Sequence, residues 1–319
     1  MTGPEGLSCY TANLAVYLGP EALDRIARSI RLAVRTDLDD DLLAFSHHRT
    51  PVDEGRLAYR GAGDAATALD AIAAEVERTG GCLVVANTGR LDWSSAGHEG
   101  QAPHFLLVDA RRGDEWHVVD RFTALLPSGG GQAPFTGWIS TAALARALTP
   151  IVPLPPEQRL RNELAFGFPR PLPRDGDYQW LERTDRPEPE AELEGEWLTE
   201  TDATLELLDE YFAGLDRSPR RLRLLDDVWA AAQHHVFRYD RLLVAGQHPI
   251  LDDARRAWRG LPMALRFAAD SAARGRHRPT LVAGTFDALR RRERDAAGLL
   301  EEGEPAWNDR SRTPSGISR

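Results

Sequence analysis

The feature that most restricts the fold is the order of patterns between residues 64 and 122, one amphipathic helix followed by three short apolar runs. DAATALDAIAAEVER (64–78) sets Leu69, Ile72 and Val76 on one stripe, and Gly80-Gly81 stops it. CLVVAN (82–87), HFLLVDA (104–110) and WHVVDRF (116–122) read as strands, the last two joined by the turn Arg112-Gly113-Asp114. A helix followed by antiparallel strands predicts an α+β domain.

The flanking patterns extend this plan. Upstream, Leu14, Leu18, Ile26, Ile30 and Val34 sit largely at three- and four-residue spacing, broken by Gly19-Pro20, which predicts a helix, a break and a second helix reaching about Arg35. Downstream, residues 126–137 are rich in Gly and Pro, and WISTAALARAL (138–148) predicts a helix capped by Ser140 or Thr141. Many of the prolines and an acidic run (187–196) fall within 149–197, as in a linker or wrapping segment. From Thr199 four helical stretches with short loops predict a helical domain. The expected division is 1–150 catalytic domain, 151–198 linker or wrapping segment, 199–305 helical domain and 306–319 tail.

Composition narrows the chemistry. With 42% hydrophobic and 28% charged residues over 319, the chain can bury a real core. All 39 basic side chains are Arg, which excludes Schiff-base, pyridoxal-phosphate and lysine-containing phosphate-loop sites. Two cysteines, Cys9 and Cys82, cannot build a disulfide framework or a multi-cysteine metal cluster, so a reducing compartment and no metal or cofactor are expected. A formal charge of −10 argues against a nucleic-acid partner. The start MTGPEGLSCY lacks a leader pattern and no apolar run reaches ~18 residues, so the expectation is cytoplasmic, with no membrane contact.

Placement separates the two thiols. Cys9 stands at the start of a predicted helix, where unpaired N–H groups and the helix dipole favour a thiolate. Cys82 leads an apolar strand and reads as a small buried hydrophobe. A thiolate nucleophile works with a histidine base oriented by a carboxylate or amide. His104 opens one strand and Asp120 lies in the next, and strand alternation permits both on one face of a hairpin. Pro103 before the histidine suits a strand edge facing solvent or a cleft.

SCYTANLAVYLG, GCLVVANTGRLDW and HFLLVDARRGDEWHVVDRF together resemble the papain-like cysteine fold of the butirosin-type aminoglycoside acyltransferases, and more distantly the peptidase domains of bacteriocin-processing transporters. The resemblance spans roughly the first 150 residues, with a weaker similarity of the helical region to the family's C-terminal domain. It implies Cys9 as nucleophile, His104 as base and Asp120 as orienter. It also implies an acyl carrier protein as thioester donor and a small amine or hydroxyl compound as acceptor. The chain departs from papain-like enzymes in having no glutamine in MTGPEGLS and in placing Arg121, not proline, after the aspartate. Oxyanion and substrate contacts are therefore expected from the Cys9 N–H, Asn13, which shares the Cys9 helical face, Asn87 and Trp93, the last a core aromatic or an acyl-pocket wall.

Other signals read as structure first. His47-His48 beside Asp37 and Asp39 to Asp41 fit a hydrated acidic loop better than a metal site, and His234-His235 point about 100° apart on a helix. Gly129 to Gly131 reads as a loop bordering the site. Arg220-Arg221-Arg223 and Arg290-Arg291-Arg292 are solvated helix faces or landing points for an acidic carrier protein. Besides transfer, the same three residues would serve a hydrolase or chain-releasing cyclase, while a non-catalytic binding protein would leave Cys9 an ordinary buried thiol. A homodimer is left open.

Overall fold

The computed structural model describes residues 4–94, 101–125, 131–188, 194–214, 221–222 and 224–303. Helix α1 (Cys9–Leu18) ends at Gly19, whose φ of 84° only glycine adopts readily, and α2 (Leu23–Ser29) follows. The second helix stops at Ser29, short of the expected Arg35. Ile30–Arg35 is strand β1, because its β-branched and apolar residues alternate into a core shared with the C-terminal helices.

Strands β2 (Ala44–His48) and β3 (Leu57–Ala62) precede α3 (Ala65–Thr79), which Asp64 caps through the Thr67 N–H and Gly80 closes in the left-handed conformation. Then come β4 (Cys82–Asn87), β5 (Pro103–Arg112), β6 (Glu115–Asp120), β7 (Ala124–Leu125), β8 (Gly131–Gln132) and β9 (Phe135–Ser140). Helix α4 (Thr141–Ala147) is capped by Ser140, so Trp138 and Ile139 belong to β9 and not to the helix expected from 138.

The stretch expected as linker is built into the fold. It carries α5 (Pro156–Glu163), β10 (Tyr178–Arg183) and β11 (Trp197–Leu198). Strand β10 lies between β3 and β4 in a six-stranded antiparallel sheet of order β3-β10-β4-β5-β6-β9, with Trp180 and Leu181 buried on opposite faces. Both faces of that sheet are covered. Leu83, Phe105, Leu107 and Val119 pack with α1 and α2, while Val84, Leu106, Val108 and Val118 pack with α3 and α4. Double coverage explains why the central strands read as unbroken apolar runs.

Helices α6 (Thr201–Ala213), α7 (Leu225–Ala245), α8 (Pro249–Ala273) and α9 (Pro279–Gly303) supply the four expected stretches. Their core takes in Leu32, Val34, Leu43 and Phe45 from β1 and β2, which with β11 form a three-stranded sheet. The helical core therefore recruits residues 30–48, far upstream of Thr199. The chain is a mixed α+β protein. Among the described residues no helix is long and apolar enough to cross a membrane. The tail 306–319 lies outside the described residues.

Candidate functional site

Cys9, His104 and Asp120 come together at one end of the six-stranded sheet. Cys9 is the first residue of α1 and is half-buried, after Ser8 in the capping position. His104 lies at the open end of β5, opposite Ala86. The hairpin register Leu107↔Val119 and Val108↔Val118 puts His104 and Asp120 on the same face, diagonal to each other across the ladder. His104 Nε2 sits 2.8 Å from Asp120 Oδ2 with both side chains buried. That leaves Nδ1 as the ring nitrogen for the thiol of Cys9, which bonds to the imidazole and also accepts from the Phe105 backbone N–H.

Burial by itself would push the Cys9 thiol up. The His104 imidazolium, its hydrogen bond and the Phe105 N–H outweigh it, and the thiol titrates below its usual value. Burial likewise pushes His104 down, but the Cys9 thiolate and the Asp120 carboxylate carry it up to about 10. Both shifts favour the thiolate and imidazolium forms of the pair. Cys82 has the opposite fate, since burial drives its thiol well up at the other end of β4, opposite Val108.

Asp120 is fully buried and saturated. Its Oδ2 accepts from His104, from the Trp93 indole N–H at 2.9 Å and from the Gln132 amide at 2.6 Å. Its Oδ1 accepts from the Phe122 N–H at 3.1 Å and from Asn13 at 3.2 Å. Burial would raise this carboxyl, but His104, Trp93 and Phe122 hold it below the usual range. It is thus a fixed anion.

The expected oxyanion contacts separate here. Asn13 donates to the Cys9 and Phe105 carbonyls and to Asp120, while its own carbonyl oxygen accepts from the Arg121 N–H at 2.8 Å. An amide so engaged, with no exposed surface, has nothing left for an oxyanion; it ties α1 to the hairpin. Asn87 caps the turn Thr88–Arg90 through Gly89 and bonds Gln101, a buried structural role beside the site. Trp93 is part of the constellation, but as a cover on the His104–Asp120 pair, its ring stacked on Phe135 at 4.1 Å. The Cys9 N–H, in the first turn and so without a helical acceptor, remains the fitting oxyanion donor.

Two participants were not legible in the sequence. Gln132 follows a glycine run with no periodic signal, yet its amide shares Asp120 with His104, whose Nε2 is 3.3 Å away. Arg161, paired with Asp227 at 2.6 Å between α5 and α7, lies near enough to Cys9 and Tyr10 for their charges to interact. A small cleft of about 30 Å³ lies between β4, β5 and the segment after α4, lined by Ala86, Pro103, Leu148, Ile151, Leu154 and Gln179; Cys9, His104 and Asp120 do not line it.

The second histidine group is a buried joint. His48 bonds Thr11 at 2.9 Å and Ser29 at 2.8 Å, and His234 reaches Thr11 at 3.2 Å while stacking on His47 at 4.4 Å. His235 points away from His234 to stack on Trp258 at 4.0 Å. No set of three or more metal-ligating side chains occurs among the described residues. Arg290 is engaged by Asp202 and Arg292 by Asp253, while Gly129, Gly130, Arg220 and Arg223 lie outside the described residues. Comparison with protein-family models and with curated proteins returns no match.

Proposed function

We propose that the chain is a cysteine acyltransferase of bacterial natural-product biosynthesis, with a papain-like catalytic unit of the butirosin-type acyltransferase kind. The Cys9 thiolate attacks the carbonyl of an acyl thioester on a carrier protein; the departing thiolate takes the His104 proton, leaving an acyl group on Cys9. A small amine or hydroxyl acceptor then attacks that acyl group, gives its proton to His104 and releases Cys9 as the thiolate. The observation that supports this most is the Cys9 thiol drawn down and the His104 imidazole drawn up beside a buried carboxylate with five donors on it. Exchange between two sulfur esters is nearly isoenergetic, so the charge state of the thiol decides the first step. The Cys9 N–H, in the first turn of α1 and without a helical acceptor, is the donor for the developing oxyanion.

Intact-protein mass spectrometry after incubation with an acyl-carrier protein tests the reading. An acyl adduct that is absent from Cys9→Ala and discharges only to an added amine or alcohol supports it. Discharge to water assigns a hydrolase, discharge to the acyl group's own nucleophile a cyclase, and the absence of any adduct refutes the proposal.

A further inference from the structure

A second polar cavity lies away from Cys9, where β1, α6, α7 and α9 meet. It measures about 290 Å³, and four arginines line it, Arg31, Arg238, Arg290 and Arg294, against two carboxylates, Asp202 and Glu293. Those carboxylates are already committed. Arg290 forks onto Asp202 with bonds of 3.1 and 2.7 Å, Arg294 approaches the same carboxylate at 3.8 Å from its exposed position, and Glu293 turns its Oε1 to the Tyr239 hydroxyl at 2.7 Å and to the Trp258 indole N–H.

Arg238 is the unusual member. It is 8% exposed, and its guanidinium makes one hydrogen bond, to the Ile30 carbonyl at 3.2 Å, with its Cζ 5.9 Å from the centre of the Tyr239 ring. A guanidinium carries five donors, and burying its charge without an anion is costly. The other buried arginine among the described residues, Arg170, is paired with Asp53 at 2.6 Å. Arg238 instead lines a cavity with three further guanidinium groups.

We propose that this cavity binds a small organic oxyanion, a phosphate or carboxylate, held by Arg238 with Arg294 at the rim. Planar N–H forks fit both anions bidentately, and the Thr201 hydroxyl on the same wall adds a donor. Leu205 and Leu300 offer apolar surface to the rest of the ligand. The site sits on the far side of the buried joint from α1, since His234 contacts Thr11 one helical turn before Arg238. Its occupancy is independent of the Cys9 chemistry.

The test is calorimetric titration of the full chain with inorganic phosphate and, separately, succinate at constant ionic strength. Saturable binding by one of them, weakened at least tenfold by Arg238→Met and by Arg294→Gln and unchanged by Cys9→Ala, is the expected result. The better-bound anion decides between phosphate and carboxylate. Arg294 is 63% exposed in its side chain, so its variant keeps the test open if Arg238→Met fails to fold. Absence of saturable binding by both anions, or equal affinity in wild type and Arg294→Gln, overturns the proposal.

Discussion

Four buried histidines apart from His104 make acid the most revealing perturbation of this fold. His47, His48, His234 and His235 are each 5% exposed or less. Burial is the largest cause in each case and holds the rings neutral, with His234 down at about 4 and the other three also well below the usual value. Neighbouring arginines deepen the effect, Arg161 acting on His47 and Arg238 on His235. The unfolded chain takes up protons at these rings near pH 6.5 and the folded one does not, so their stabilisation is complete above 6.5 and is lost as pH falls. At pH 5 each ring forfeits about 2 kcal/mol, and four together about 8 kcal/mol, comparable with the whole stability of an ordinary domain. Urea unfolding followed by tryptophan fluorescence from pH 7.5 to 5 measures this directly. His234→Gln removes one of the titrating rings, and its loss of stability over that range should be smaller than wild type by about 2 kcal/mol, whatever its starting stability. A flat profile above pH 5, or an unchanged slope in the variant, would refute the claim that these rings are buried neutral.

Other consequences are open to measurement. Alkylation of Cys9 by iodoacetamide should follow an apparent pKa below that of a free thiol, and His104→Ala should raise it, because burial is then opposed only by the Phe105 N–H; identical profiles would sink the ion pair. Trp93→Phe keeps the stack on Phe135 but removes the indole N–H from Asp120, and should slow acyl transfer about tenfold, or about 1.4 kcal/mol, with little change in fold by circular dichroism. Gly167 has φ of 95°, and an added Cβ would meet the Thr50 carbonyl oxygen at 2.2 Å. Gly167→Ala should therefore cost about 3 kcal/mol or more in urea, whereas Gly80→Ala, with φ of 82° and open space, should cost about 1 kcal/mol.

Much of the site was legible because local rules place its members. A cysteine at a helix start and a histidine and aspartate on one face of a tight hairpin are placed by periodicity, and the structure brings all three together. Asn13 was read correctly as sharing the Cys9 face, but helical phase says which way a side chain points and nothing about what waits there. Two backbone carbonyls, Asp120 and the Arg121 N–H occupy its amide. Gln132 and Arg161 escaped because they reach the site from segments without a period of their own.

The sequence by itself determined the class of elements, the strand alternation behind the hairpin, and the absence of lysine and of multi-cysteine sites. Tertiary structure decided where the proline-rich stretch goes: β10 enters the middle of the sheet because Trp180 and Leu181 each find a covered face there, and no local propensity in 151–198 announces a partner. It also decided that Ile30–Arg35 is extended rather than helical, since Leu32 and Val34 bury against helices that begin at Thr201, some 170 residues later in the chain. Short-range patterns act through backbone geometry over a few residues. Burial against distant segments outweighs them wherever a short element has its apolar side chains covered by another part of the chain.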